Sequence, residues 1–335
     1  MRLLVLGGTI FVGYAVAAEG VRRGHEVVCA ARGESGSVPD GATLVRVDRD
    51  ADDGLTPLTG EFDAVVDVSP LSHPWVARAL RDLGGRAGHW SFVSTINVYA
   101  DNATVGQTPA TGPLVPALAQ HSDRDAMAAA GEDGVALYGG IKVASENAVR
   151  AAMGDRAFVT RPGLITGSWD RSDRFGYWPG RFARGGRVLV PDAPDQPVQH
   201  IDVRDYASWI VDAGERGIAG TYDAIGPVRP LPAVLADIAE AVGVDVELVP
   251  VSPERLVAAK VQPWGGPRSL PLWLPDDYAG MQTHDPAPSL AAGLAVRPLA
   301  DTVADALARE RELGLDRERR AGLSADEELE ILADV

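Results

Sequence analysis

Lysine and cysteine are almost missing from this chain. Only Lys142 and Lys260 among its 31 basic residues are lysines, and Cys29 is the only cysteine. A single cysteine excludes an intrachain disulfide and a thiolate metal cluster, and the six histidines have none of the usual ligand spacings. No run has the length and purity of a membrane span. Positive charge is also short: 31 basic against 47 acidic residues give a net charge of −16 and a pI near 4.8. That balance disfavours nucleic acid or an anionic membrane as a partner, while leaving room for a local basic pocket that takes one small phosphorylated ligand. Together these absences favour a cytoplasmic setting. Arg2 followed by the apolar run Leu3 to Ala18 imitates a secretory signal, but Gly7, Gly8 and Gly13 interrupt it, and it leads through a polar stretch into a second apolar strand.

What is present is an ordinary globular composition over 335 residues, 46% hydrophobic and 23% charged, enough for one large domain or one domain with a smaller appendage. The first half reads as alternating strands and helices. Strands are expected at Arg2–Leu6, Glu26–Ala31, Thr43–Val47, Ala64–Val68, Trp90–Ser94 and Ala157–Arg161, and helices at Phe11–Arg23, about Pro74 to Leu83, and about Leu137 to Met153. This alternation predicts an α/β fold, a Rossmann-type doubly wound parallel sheet with helices on both faces. Ala100 to Gly134 reads as a long surface loop with one short helix, a common form for an active-site lid. Beyond Arg161 the chain turns to proline, glycine and tryptophan, which predicts a smaller C-terminal α+β substrate domain. Its expected strands are Val188–Val190, Thr221–Ala224 and Val244–Val249. Its expected helices are Arg204–Arg216, Pro232–Val242, Leu299–Leu313 and Ser324–Leu332, the last with a Ser324/Glu327 capping box. The expected division is a dinucleotide-binding domain over 1–165, to which the chain returns at about 198–228, and a substrate domain with a helical tail over 166–197 and 229–335.

Three segments carry chemistry. Gly7-Gly8-Thr9-Ile10-Phe11-Val12-Gly13 lies between a strand and a helix, where glycines let the backbone approach a pyrophosphate and free helix amides stabilise its charge. Arg32 follows the second strand at the position where an acidic residue would bind the ribose hydroxyls of NAD. An arginine there pairs with a 2′-phosphate, which tilts the cofactor toward NADP with NAD as the alternative. Asp48, just past the third strand, is a candidate acceptor for the adenine amine. Tyr138 and Lys142 are four residues apart, on one face of a helix. A phenol with an ordinary pKa of ~10 becomes a usable acid/base at pH 7 when a nearby ammonium favours the phenolate. Composition alone predicts about 0.04 such pairs, so chance is a poor account of this one. Thr95, at the C-terminal end of a central strand, sits where open α/β sheets bind ligands and can hydrogen-bond a reacting oxygen. Ser94 should face the other way, and Tyr99 reads as packing. Trp169, Tyr177, Trp178, Trp264 and Trp273 read mostly as core, with some able to wall a substrate pocket. Arg171, Arg174, Arg181, Arg184 and Arg187 form either an anion-facing cluster or a solvated surface.

The sequence resembles the extended short-chain dehydrogenase/reductases of the NAD-dependent epimerase/dehydratase family. The segments that carry the likeness are Gly7–Gly13, Val93-Ser94-Thr95-x-x-Val98-Tyr99, Tyr138-x-x-x-Lys142, Arg161-Pro162-Gly163 with Gly167, and His200-Ile201-Asp202-Val203-Arg204-Asp205, over roughly residues 1–230. The resemblance implies Tyr138 as acid/base, Lys142 on the nicotinamide ribose and Thr95 as the orienting hydroxyl. It also implies Phe11 and Val12 near the diphosphate, Val68 and Ser69 along the cofactor, and Pro162 to Leu164 beside the nicotinamide. A small-molecule substrate, no metal and a homodimer packing the Leu137–Met153 helix follow from the same likeness. Ile96 and Asn97 stand where dehydratases of this kind carry an acidic pair, and Val198 where many sugar-nucleotide epimerases carry an arginine. The expected activity is therefore hydride transfer at a hydroxyl or carbonyl carbon of a small metabolite. The alternatives are an NAD-dependent epimerase of a sugar or sugar nucleotide and, from another class, a non-catalytic nucleotide-sensing or RNA-associated protein.

Overall fold

The computed structural model describes residues 1–69, 71–122 and 124–333. The first strand, β1 (Arg2–Leu6), is a run of large aliphatic residues that must be covered on both faces. Its side chains alternate: Leu3 and Val5 enter one core, Leu4 and Leu6 the other. Five further parallel strands repeat the pattern: β2 (Glu26–Ala31), β3 (Thr43–Arg46), β4 (Phe62–Asp67), β5 (Ala87–Val93) and β6 (Ala157–Pro162). With Gly220–Ala224 they form a seven-stranded sheet whose order, from that strand inward, is β6, β5, β4, β1, β2 and β3. Leu4 pairs with Val28 on one side and Val65 on the other, so the strand order reverses at β1. That reversal opens a crevice at the carboxyl ends of β1 and β4.

Helices close both faces. On one side α1 (Phe11–Arg22) buries Val12, Val16 and Ala17 against Leu3, Val5 and Val27. On the other, α2 (His73–Leu83) buries Val76, Ala79, Leu80 and Leu83 at helical spacing. After α3 (Arg124–Ala129), the long helix α4 (Glu132–Met153) packs beside α2, with Val149 and Met153 in the same core. Residues 139 to 146 of α4 are all buried by the chain itself.

The fold class and nearly every strand agree with the sequence reading. Two boundaries need correction. Helix α4 begins at Glu132 rather than Leu137, because the helix continues back through Gly134 to Gly131, which turns at φ 57°. The strand expected at Val244–Val249 runs over Val246–Val251, since it pairs in parallel register with Gly186–Pro191 and leaves Val244 exposed. Short helices also appear where none was anticipated. Of these, α5 (Tyr177–Phe182) contains Pro179 and Gly180 and holds its shape by burying Tyr177, Trp178 and Phe182. These aromatics belong to a separate hydrophobic cluster drawn from residues 164 to 332. The C-terminal helix Ala325–Leu332 starts at the expected Ser324/Glu327 capping box and is tied to that cluster by Glu328, which accepts from Arg181 and from the Leu189 amide.

Beneath the sheet's carboxyl end lies a buried chain of charges. Arg161 donates to both oxygens of Glu146 at 3.0 and 2.7 Å, and Ser94 Oγ donates to the same carboxylate at 2.6 Å. Arg161 also donates to Tyr99 Oη, which donates to Asp223, whose other oxygen meets His284 Nδ1. Burial opposes the Glu146 charge, but the hydrogen bonds from Arg161 and Ser94 outweigh it and hold its pKa below the ordinary carboxylate range. Removing one member of such a pair strands the other as a buried charge. Arg161→Met is therefore expected to lower stability by about 3–5 kcal/mol in urea unfolding, and Glu146→Gln added to it should restore part of the loss.

Candidate active site

One cleft of about 800 Å³ lies over the carboxyl ends of the strands, and every site residue singled out from the sequence lines it. At its floor is the turn after β1. Gly7 adopts φ +100°, and a Cβ there would come within 2.6 Å of Val68 Cγ2, so only glycine fits. Ile10 needs no such freedom: at φ −145° it is extended and stands at the N-cap of α1. No side chain caps this helix and no acidic residue occupies its first turn. Its first amides are thus left for an anion.

The adenosine-side candidates lie at the rim. Arg32 is exposed and reaches Glu34 at 3.5 Å, while Asp48 is exposed and accepts from the Asp50 amide. Beside them Arg49 makes a buried bidentate pair with Asp67 at 2.8 and 2.9 Å. Sequence reasoning missed this pair, which neutralises Arg49 within the protein. Val68 and Ser69 follow β4 into the cleft, and Ser69 Oγ turns toward the Ser72 carbonyl.

Lys142 is the centre of the arrangement. It is 2% exposed, and its Nζ donates to two backbone carbonyls, Ser69 O at 2.7 Å and Val93 O at 2.6 Å. An ammonium has three donors, so one remains for the cleft. Burial lowers its pKa to about 7 against the opposing pull of Asp67 and Glu146. The Tyr138 ring centroid is 5.8 Å from Nζ, one helical turn away as the spacing requires. Gly139 makes this placement possible. A Cβ there would be 2.2 Å from Asn97 O, so the helix presses directly on the turn carrying Thr95. Glycine inside a helix costs about 1 kcal/mol, and here close approach is the compensation.

Thr95 is buried and N-caps the short turn Ile96–Val98; its Oγ1 accepts from Asn97 N at 3.2 Å and donates to Asn97 Oδ1 at 3.1 Å. Thr95 and Asn97 both line the cleft. Pro162 and Leu164 contribute a further part of its wall. The arginine cluster separates: Arg171 and Arg174 enter the cleft, whereas Arg181 pairs with Glu328 and Arg184 and Arg187 lie away from it. Of the tryptophans, Trp178 and Trp273 are core, Trp169 is 51% exposed, and Trp264 lines the cleft. Met127, Val135 and Met281 also line it, contacts no local motif announces. Lys260, the other lysine, is exposed beyond a short helix. Among the described residues no His, Cys, Asp or Glu cluster could hold a metal, and no helix is long and apolar enough to cross a membrane.

No protein-family model matches the chain, and no curated protein matches it in sequence. Solved structures do match it in fold. A UDP-N-acetylglucosamine 4-epimerase from Bacillus cereus is 16% identical with a TM-score of 0.66, over 96% of this chain and 100% of the other. The Bordetella bronchiseptica enzyme WbmG, in complex with NAD and UDP, gives 16% and 0.65 over 94% and 96%. A UDP-glucose 4-epimerase complex with NAD from Thermus thermophilus gives 16% and 0.63 over 93% and 99%. The chain therefore has the fold of these structures, a Rossmann-type parallel sheet followed by a smaller C-terminal unit.

The depressed Lys142 pKa couples protonation to folding. Between about 7 in the folded protein and ~10.4 in the unfolded chain, the folded state binds fewer protons, so stability rises with pH across that window. Replacing Lys142 by methionine keeps the stem and removes the proton. The stability of wild type relative to Lys142→Met, from urea unfolding, is expected to rise from about pH 7 to about pH 10; a flat difference would contradict this placement of the ammonium.

Proposed function

We propose that this chain is an NAD(P)-dependent oxidoreductase that acts on a hydroxyl or carbonyl carbon of a small metabolite, with Tyr138 as its acid/base. The observation that carries this reading is the convergence of Tyr138, Thr95 and Lys142 on the same cleft as an uncapped helix N-terminus. That donor set suits a dinucleotide: the amides of Phe11 and Val12 would hold the diphosphate, Arg32 and Asp48 the adenosine end, and Val68, Ser69, Pro162 and Leu164 the nicotinamide end. When bound, the nicotinamide supplies the acceptor or donor of hydride.

The chain's own residues handle the proton. Tyr138 Oη takes it from a substrate hydroxyl or returns it to a carbonyl oxygen, and the Lys142 ammonium beside it favours the phenolate. For Thr95 Oγ1 to hold the reacting oxygen, its proton turns from Asn97 Oδ1, 3.1 Å away, into the cleft that both residues line. The third Lys142 proton is directed to a ribose hydroxyl. A second reading, epimerisation with tightly held NAD, is favoured by the activities named for the similar structures; it requires cofactor that co-purifies and no net redox change. The arginine at position 32, exposed beside the pocket rim, supports NADP over NAD.

Two measurements test these assignments. Tyr138→Phe is expected to lower turnover by about 10²–10⁴-fold while leaving cofactor affinity within about twofold, since only the proton route is removed; full activity in this variant would end the enzyme reading. Arg32→Ala should weaken NADPH binding about tenfold, the loss of one exposed charge-assisted contact, with little effect on NADH. Equal loss for both cofactors would remove the preference for NADP.

A further inference from the structure

The cations lining the cleft differ in what holds them. Arg32 faces Glu34, Arg49 is closed on Asp67, Lys142 is held by two carbonyls, and Arg171 donates to Ser35 O across the pocket mouth. Arg174 differs. Among the described residues its only side-chain hydrogen bond is from Nε to Ser172 Oγ at 3.0 Å; like Arg171 and Lys142 it makes no salt bridge, but here neither terminal nitrogen has a protein acceptor. The side chain is nonetheless half-buried, and its guanidinium stacks 5.0 Å from the Trp264 ring centroid, which orients the fork without satisfying it. Removal from water holds its pKa below the ordinary arginine value, with Asp170 and Tyr138 as its charged or ionisable neighbours.

The support for this side chain is closely constrained. Ser172 Oγ, which accepts from Arg174, donates in turn to Asp170 at 2.7 Å. Asp173 and Trp264 both sit at positive φ, 61° and 68°, conformations that cost of order 1–3 kcal/mol for non-glycine residues unless the surroundings impose them. A guanidinium taken partly out of water, oriented by an aromatic face and left with an open fork in the cleft that Tyr138 also lines, is a site for a planar or tetrahedral oxyanion.

We propose that Arg174, backed by Trp264, binds an anionic group of the substrate, a carboxylate or a phosphate, and so aims the reacting carbon at Tyr138. The proposal rests on the reading of this cleft as the catalytic one and specifies the substrate class: an acid or phosphate ester rather than a neutral alcohol or ketone. In a chain of net charge −16 the background field repels such ligands, so a cation with an open fork inside the cleft favours them locally.

The test uses the full chain saturated with NADP⁺, so that the diphosphate site is filled, titrated calorimetrically with benzoate, phenyl phosphate and neutral benzamide. Wild type is expected to bind at least one anion about tenfold or more tightly than benzamide, and the better anion identifies the source. Arg174→Gln should abolish the preference without changing NADP⁺ affinity, and Arg174→Lys should retain part of it. Anions that bind no better than benzamide, no anion binding at all, or a preference that survives Arg174→Gln would each overturn the proposal. Failure to bind NADP⁺ counts against the cofactor reading alone; in that case the benzoate and benzamide comparison on the free protein still decides the role of Arg174.

Discussion

The active cleft depends on one ammonium held by two carbonyls. Ser69 O lies just beyond β4 and Val93 O at the end of β5, and Lys142 Nζ, reaching in from α4, joins both. Without it the carboxyl ends of these strands would carry buried acceptors with no partner, a cost of about 1–3 kcal/mol each. With it, helix, strand ends and cleft floor become one rigid unit. Tyr138 is then fixed by covalent geometry one turn up the same helix, and Thr95 by the strand two residues on. The positioning of the groups proposed to handle the proton is thus a by-product of satisfying two backbone oxygens.

The charges below that unit serve a related end. Arg161, Glu146, Ser94, Tyr99, Asp223 and His284 connect α4, three strands of the sheet's edge half and the segment near residue 284 through buried hydrogen bonds. Such networks add little net stability over an apolar core, but they tolerate few alternative packings. The Glu146 carboxylate lies one helical turn beyond Lys142, and its charge partly offsets the desolvation of the ammonium. Burial lowers the Lys142 pKa and these charges oppose the lowering.

Much of this was legible in the sequence because it is local. The strands β1 and β2, the helix Leu299–Leu313 and the Ser324/Glu327 box follow from period and capping over a few residues. The glycine turn, Thr95 and the Tyr138/Lys142 pair are also short-range patterns, and each lines the cleft. What stayed hidden is long-range. Nothing near Arg49 announces Asp67, eighteen residues on, as its partner, and nothing near Arg174 announces Trp264. The five arginines between 171 and 187 look alike in sequence; the fold gives two of them to the cleft and ties Arg181 to Glu328 near the C-terminus. Helix α5 was missed for the same reason, since its Pro179 and Gly180 argue against a helix locally and only the burial of its aromatics decides the matter.

The scarcity of lysine takes its meaning from this geometry. A chain that meets almost every demand for positive charge with arginine keeps lysine at the one buried position where two carbonyls from different strands must be reached by a single atom. A guanidinium is planar and wider, and its five donors would leave several unsatisfied in a site that offers two carbonyls. It also cannot lose its proton, whereas burial brings the Lys142 pKa to about 7. Arginine, by contrast, suits position 174, where a fixed fork stacked on Trp264 offers two open terminal nitrogens and a permanent charge. The two cations thus differ by chemistry: one joins two strand ends to the helix that carries Tyr138, and the other is the one proposed to hold an anion.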